Sequence, residues 1–185
     1  MKKLFIIFCL SLTSCVVSNN SNSTFKRYLT KEEKESLSES GEILKVHTSK
    51  YRNGQTHWTG PLRVKYINKK YSFTQVGTWK GYYESGDVFS VAKSDSLGQL
   101  EKEQIFELNG IKSLEMIGYD ENIGNKVVRK VKLINYRSPL YQDTLVTTHF
   151  IEIKKKLIKH GVETYFNELG IVEKTVHYEN GKKLK

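Results

Sequence analysis

The chain has 185 residues, with 30 Lys and Arg against 20 Asp and Glu, for a formal charge of +10. Its two cysteines, Cys9 and Cys15, both lie near the N-terminus. Disulfides and cysteine-based metal centres are thereby excluded from the body of the chain, whose stability must come from an ordinary core.

The first residues have the order of a secretory signal. Lys2 and Lys3 form a positive start, and the apolar run Leu4 to Leu12 (LFIIFCLSL) is followed by small polar residues. As a helix, that run would reach roughly 14 Å, short of a ~30 Å hydrocarbon core. It therefore reads as a cleaved signal rather than a membrane span. Leu12-Thr13-Ser14-Cys15 resembles the lipobox of bacterial lipoproteins. That resemblance implies a signal peptide over 1–14, cleaved before a cysteine whose nucleophilic thiol carries lipid such as palmitate. One acyl chain holds a protein to a membrane only marginally, whereas two or three hold it stably. The implied location is the cell envelope, lipid-anchored at Cys15. Val16 stands where enterobacterial sorting would place Asp for inner-membrane retention, which implies the outer membrane.

Without Lys2 and Lys3 the remaining chain carries 28 basic and 20 acidic residues. For an exported protein this points to anionic phospholipid, lipopolysaccharide or acidic glycan, and not to nucleic acid. The bland alternative is a solvated basic surface. The densest groups, Arg129-Lys130-Lys132 and Lys154-Lys155-Lys156-Lys159, alternate with apolar residues as the solvent face of a strand would.

Residues 15–29 include the Ser/Asn-rich VVSNNSNS and read as a lipid-anchored flexible tether, with a single β-rich domain over 30–185. Thr30 and Glu33 form a capping box that starts a short helix running to about Ser38. The remainder reads as strand: Tyr, Val, Ile, Phe and Thr are frequent, and glycines recur as turn punctuation. Val127, Val131 and Leu133 define one apolar stripe; Leu145, His149, Ile151 and Ile153 define another, with His149 a packed, hydrogen-bonded member. Glycine pairs at 41 and 54, 86 and 98, 110 and 124, and 170 and 181 each bracket one strand. Such residues supply the positive φ that tight hairpins need. The expected fold is mainly β: an antiparallel β-meander or hairpin-repeat sheet with one short N-terminal helix.

GTWKGYYESG (77–86) aligns with GVETYFNELG (161–170), placing Tyr82 with Phe166 and Glu84 with Glu168. Together with YFNELGIVEKTVHYENGKK, these segments resemble the variant form of the MORN (membrane occupation and recognition nexus) repeat. The resemblance is strongest over 77–98 and 161–183, fainter over 39–55 and 107–124, and absent from 125–158. It implies β-hairpin architecture, a lipoprotein context and an antitoxin-like role.

No GxSxG, HExxH, phosphate-binding glycine loop or calcium loop is present, and the five histidines are scattered. Ser90 and Lys93 match the SxxK spacing of serine acyltransferases, but that chemistry needs a helix start and these residues read as strand. The sequence thus predicts no enzyme, no metal and no cofactor. Trp79, Tyr82, Tyr83, Tyr165, Phe166 and Tyr178 are candidate binding aromatics. They either form a platform for glycan or peptide or fill the packed face of the sheet, and packing weighs more heavily. The expected function is a non-enzymatic envelope lipoprotein whose hairpin-repeat surface binds a protein, a glycan or an anionic envelope component. The alternative is an immunity or antitoxin-like protein that neutralises a toxin at the envelope.

Overall fold

The computed structural model describes residues 29–136, 144–153 and 156–185. The expected signal peptide (1–14), the expected lipidation site Cys15 and the expected tether as far as residue 28 lie outside the described residues. Helix α1 (Lys31–Ser40) begins with the predicted capping box: Thr30 Oγ1 accepts from the Glu33 N–H, and Glu33 accepts from the Thr30 N–H. It ends at Gly41, whose φ of 74° is readily adopted only without a Cβ. Leu37 is its fully buried residue.

Thirteen strands follow: β1 (Glu42–Lys50), β2 (Thr56–Ile67), β3 (Lys70–Gln75), β4 (Gly77–Tyr82), β5 (Val88–Ser94), β6 (Leu100–Phe106) and β7 (Lys112–Ile123), then β8 (Lys126–Tyr136), β9 (Thr144–Ile153), β10 (Lys156–Lys159), β11 (Gly161–Phe166), β12 (Val172–Glu179) and β13 (Lys182–Lys183). They form one open antiparallel sheet in meander order, β1-β2-β4-β5-β6-β7-β8-β9-β11-β12-β13. Two short strands fold back beside longer ones, β3 on β2 and β10 on β9. The expectation of a mainly β meander with one short helix is met.

Among the described residues, five hairpins share one geometry. Their registered ends are His47 and Gly60, Trp79 and Ala92, Val91 and Gln104, Glu103 and Met116, and Glu163 and Val176, with the turn glycine (54, 86, 98, 110, 170) eighth in each. In each turn the glycine N–H donates to the residue three before it, as Gly86 does to Tyr83 O at 3.0 Å. That residue's own N–H donates to the residue after the glycine, as Tyr83 does to Asp87 O at 2.8 Å. This is a type I turn closed by a left-handed residue, the geometry that makes glycine obligatory there. Asn167 adds a side-chain clamp, its Oδ1 accepting from the N–H groups of Leu169 and Ile171.

Strand register makes Trp79, Ala92, Glu103, Met116, Leu133 and Thr148 one continuous transverse row. Trp79 extends the row to Gly60, and Thr148 extends it to Glu163. Cross-strand partners share a face, so this row runs down the face that carries α1. Around it sit two apolar clusters. Leu29, Leu37, Leu62, Val64, Phe73 and Trp79 pack beneath the helix; Leu114, Met116, Val131 and Phe150 pack further along. Leu29, at the end of the sequence-assigned tether, is part of this packing.

One expectation needs correction. Leu145, His149, Ile151 and Ile153 do share a face of β9, but the apolar cluster lies on the other, where Phe150 is registered with Val131. Leu145 and Ile153 are exposed, and so is Val127 near the start of β8. Apolar residues occur on both sides of β9, so alternation alone does not select the packed side; the cross-strand partner does.

Candidate functional site

The six aromatics fall into two groups separated by strands β5 to β9. In the first, Trp79 is buried and its Nε1–H donates to Pro61 O at 2.9 Å. A Cβ on Gly60 would overlap its indole, so the two positions are matched in size. The Tyr83 hydroxyl donates to Phe106 O at 2.8 Å, and its ring lies 5.4 Å from that of Phe89. Tyr51, the matching turn residue of the first hairpin, donates to Tyr82 O at 2.7 Å. Each tyrosine thus ties one hairpin to the next. Tyr82 itself lines a shallow groove of about 400 Å3 with Thr48, Gln55, Thr56, Thr59 and Gly86.

The second group surrounds a carboxylate. Glu163 is buried and accepts from Lys159 Nζ (2.7 Å), Thr148 Oγ1 (3.0 Å), Tyr165 Oη (3.0 Å) and Tyr178 Oη (3.1 Å). Four donors match the acceptor capacity of a carboxylate. Burial alone would push the Glu163 pKa up, but the bonds from Lys159, Tyr165 and Thr148 and the charge of Lys159 outweigh it, and the group sits below its ordinary value. The ring faces are engaged as well: Lys159 Nζ lies 4.8 Å from the Tyr178 centroid, and Lys174 Nζ lies 5.8 Å from that of Tyr165. Phe166 is half-buried at the end of β11.

Two further buried carboxylates escape a reading from sequence alone. Glu115 lies on the sheet face opposite α1, with Lys102 at 2.7 Å, Tyr136 Oη at 2.9 Å and Lys112 at 3.3 Å. Burial raises its pKa, but these bonds and the Lys112 charge override that and bring it to about 2. Glu103, on the helix-bearing face, is bonded by Ser90 Oγ at 3.0 Å, and burial pushes its pKa above the ordinary value despite that bond. The signal for Glu163 was present in the repeat alignment, which sets it at the position of Trp79. A glutamate at an aromatic, packed position requires compensating donors.

Ser90 is fully buried, and its hydroxyl is directed to Glu103. Lys93 lies on the opposite face, in an ion pair with Glu101 at 2.8 Å, so strand alternation separates the SxxK pair. His149 is half-buried with Nδ1 2.7 Å from Val162 O, a packed residue as read from sequence. Among the described residues, no group of three or more His, Cys, Asp or Glu could hold a metal ion, and no helix is long and apolar enough to cross a membrane.

The face opposite α1 is the more open chemical surface. One registered row reads Thr78, Lys93, Lys102, Ile117, Lys132 and His149. Lys80 and Lys130 flank it on the same face, one registered with Val91 and the other with Tyr119. Compared with known proteins, the chain matches no family model, no curated protein sequence and no solved structure.

Proposed function

We propose that the protein is a non-enzymatic envelope lipoprotein, held by lipid on Cys15, that presents its hairpin-repeat sheet as a binding surface. The lipobox motif and the resemblance to variant MORN repeats motivate the reading. The observation that carries it is the open sheet: α1 packs on one face, while the other displays a registered, polar and cationic row across β4 to β9. Such a surface offers many weak, dispersed contacts and no converging set of reactive groups. The outer membrane is the proposed location, and a protein, a glycan or an anionic component of the envelope is the proposed ligand.

The experiment combines labelled palmitate incorporation with envelope fractionation of the wild type and Cys15→Ser. The expected result is label on the wild type, no label on the variant, and release of the variant from the membrane fraction with its β circular dichroism intact. Unlabelled wild type with unchanged retention of the variant overturns the anchor. Cross-linking in intact envelopes then tests the surface. A wild type that yields no protein, glycan or lipid adduct overturns the binding role.

A further inference from the structure

We propose that the sheet face opposite α1 is a docking surface for an anionic lipid bilayer. The inference rests on the envelope reading above and deepens it by naming the ligand class of that surface.

Charge distribution carries the argument. Over β4 to β8 this face displays Lys80, Lys93, Lys102, Lys112, Lys126, Lys130 and Lys132. Its carboxylates there are Glu101, Glu115 and Glu121, each ion-paired to lysine. Glu115, which takes two of those lysines, is itself buried. Among the described residues, Lys80, Lys126 and Lys132 make no ion pair on this face, and Lys80 and Lys132 stand as surplus cations at the two ends of the array. Lys93 and Lys102 are directly opposite each other across β5 and β6. Like charges so placed disfavour strand pairing, and here each is offset by its own carboxylate, Glu101 for Lys93 and Glu115 for Lys102.

Three cations of the other face are engaged internally. Lys45 bonds Glu33 of the helix, Arg129 bonds Asp120 and the Leu100 carbonyl, and Lys159 bonds Glu163. The imbalance is therefore concentrated where no helix packs.

The layout of the cations selects the partner. Strands are spaced ~4.8 Å apart, so the row from β4 to β8 spreads its ammonium groups over roughly 20 Å. Thr78, Val91, Gln104 and Ile117 separate them, and the shallow groove at Tyr82 lies beyond Lys80, at one end of the array, so the cations do not converge on it. Lysines are flexible point charges. A dispersed set of them complements the smeared negative potential of a lipid surface, where each contributes ~1 kcal/mol, equivalent to about fivefold in partitioning.

The test uses the full chain carrying Cys15→Ser, so that acyl lipid plays no part and residues 1–28 are common to all variants. It is co-sedimented with vesicles of phosphatidylcholine alone and of an equal mixture with phosphatidylglycerol. Expected is binding to the mixture, weaker in phosphatidylcholine, that falls as salt is raised. K80Q/K132Q should lower partitioning about 25-fold without a change in Tm. K31Q/K34Q, which removes the same charge from α1, should change it less than twofold. Equal binding to both vesicles overturns the proposal, and so does an equal loss in the two double variants. Heparin binding without vesicle binding also overturns it and assigns the face to acidic glycan. Because Cys15 is absent throughout, these failures are distinct from failure of lipid attachment, which the palmitate label reads separately.

Discussion

The segments β2–β5 and β9–β12 build the same backbone twice and fill it differently. In each, a long strand pairs first with a short returning strand, β3 or β10, and then, near its N-terminal end, with β4 or β11. The change of partner is made by equivalent bonds: Val76 N–H donates to Pro61 O at 3.1 Å, and His160 N–H to His149 O at 2.9 Å. A glycine with positive φ follows each, Gly77 at 64° and Gly161 at 90°. Two residues further on the copies diverge. Trp79 packs against Gly60 in an apolar cluster under α1, whereas Glu163 meets Thr148, Lys159, Tyr165 and Tyr178. Backbone hydrogen bonding and turn glycines specify this framework, and it tolerates either an apolar or a fully bonded polar centre.

That contrast can be broken in four ways. The largest effect is expected for Trp79→Ala, which opens a cavity in the only cluster that α1 covers among the described residues and should cost ~3–5 kcal/mol in urea denaturation. A loss below ~1 kcal/mol would mean that the helix-covered cluster is not the stronger half.

Next is Glu163→Gln, which removes the charge facing Lys159 while keeping the shape, and should cost ~2–3 kcal/mol because hydrogen bonds to charged groups are the strong ones. Its pH signature separates the two copies. The Glu163 pKa is lowered in the folded state, so its stabilisation is present above the ordinary value of 4.5 and is lost as pH falls through the lowered one. Glu115 acts in the same direction down to about pH 2. Wild type should therefore lose more stability between pH 5 and pH 3 than Glu163→Gln does. Parallel pH curves would show that the Glu163 centre contributes no such linkage.

Third, Gly77→Ala and Gly161→Ala should each cost ~1–2 kcal/mol, since both place a Cβ in the left-handed region. Costs that differ by more than twofold would break the equivalence of the two backbones.

The smallest expected effect is a gain. Glu103 is held above its ordinary pKa by burial, so its ionisation reduces stability as pH rises from 4.5 through the raised value. Glu103→Gln, which can still accept from Ser90, should raise stability at pH 7 by ~1 kcal/mol and lose that advantage below pH 4.5. A destabilised variant at pH 7 would mean that the Ser90 bond to the charged form outweighs the cost of its burial.

The turns were legible because their chemistry is local. Gly54, Gly86, Gly110 and Gly170 announce positive φ, Asn167 announces its own clamp, and Thr30 with Glu33 announces the helix start. The packed side of β9 was not legible, since Phe150 and Ile151 are adjacent and equally apolar, and only registry with Val131 on β8 decides between them. The transverse row was hidden for the same reason. Its members are 11 to 17 residues apart within a hairpin but 84 apart from Trp79 to Glu163, and register alone brings such positions onto one line.

By itself, then, the sequence determined a mainly β meander punctuated by glycine turns, one capped helix and the roles open to six aromatics; the segment that resembles a lipobox lies outside the described residues. Tertiary structure decided which face is covered, that Trp79 and Glu163 occupy equivalent centres, and that Lys80 and Lys132 belong to one open face. The physical reason is range: φ preference and capping act within a few residues, whereas burial and charge pairing depend on strands that meet only when the sheet forms.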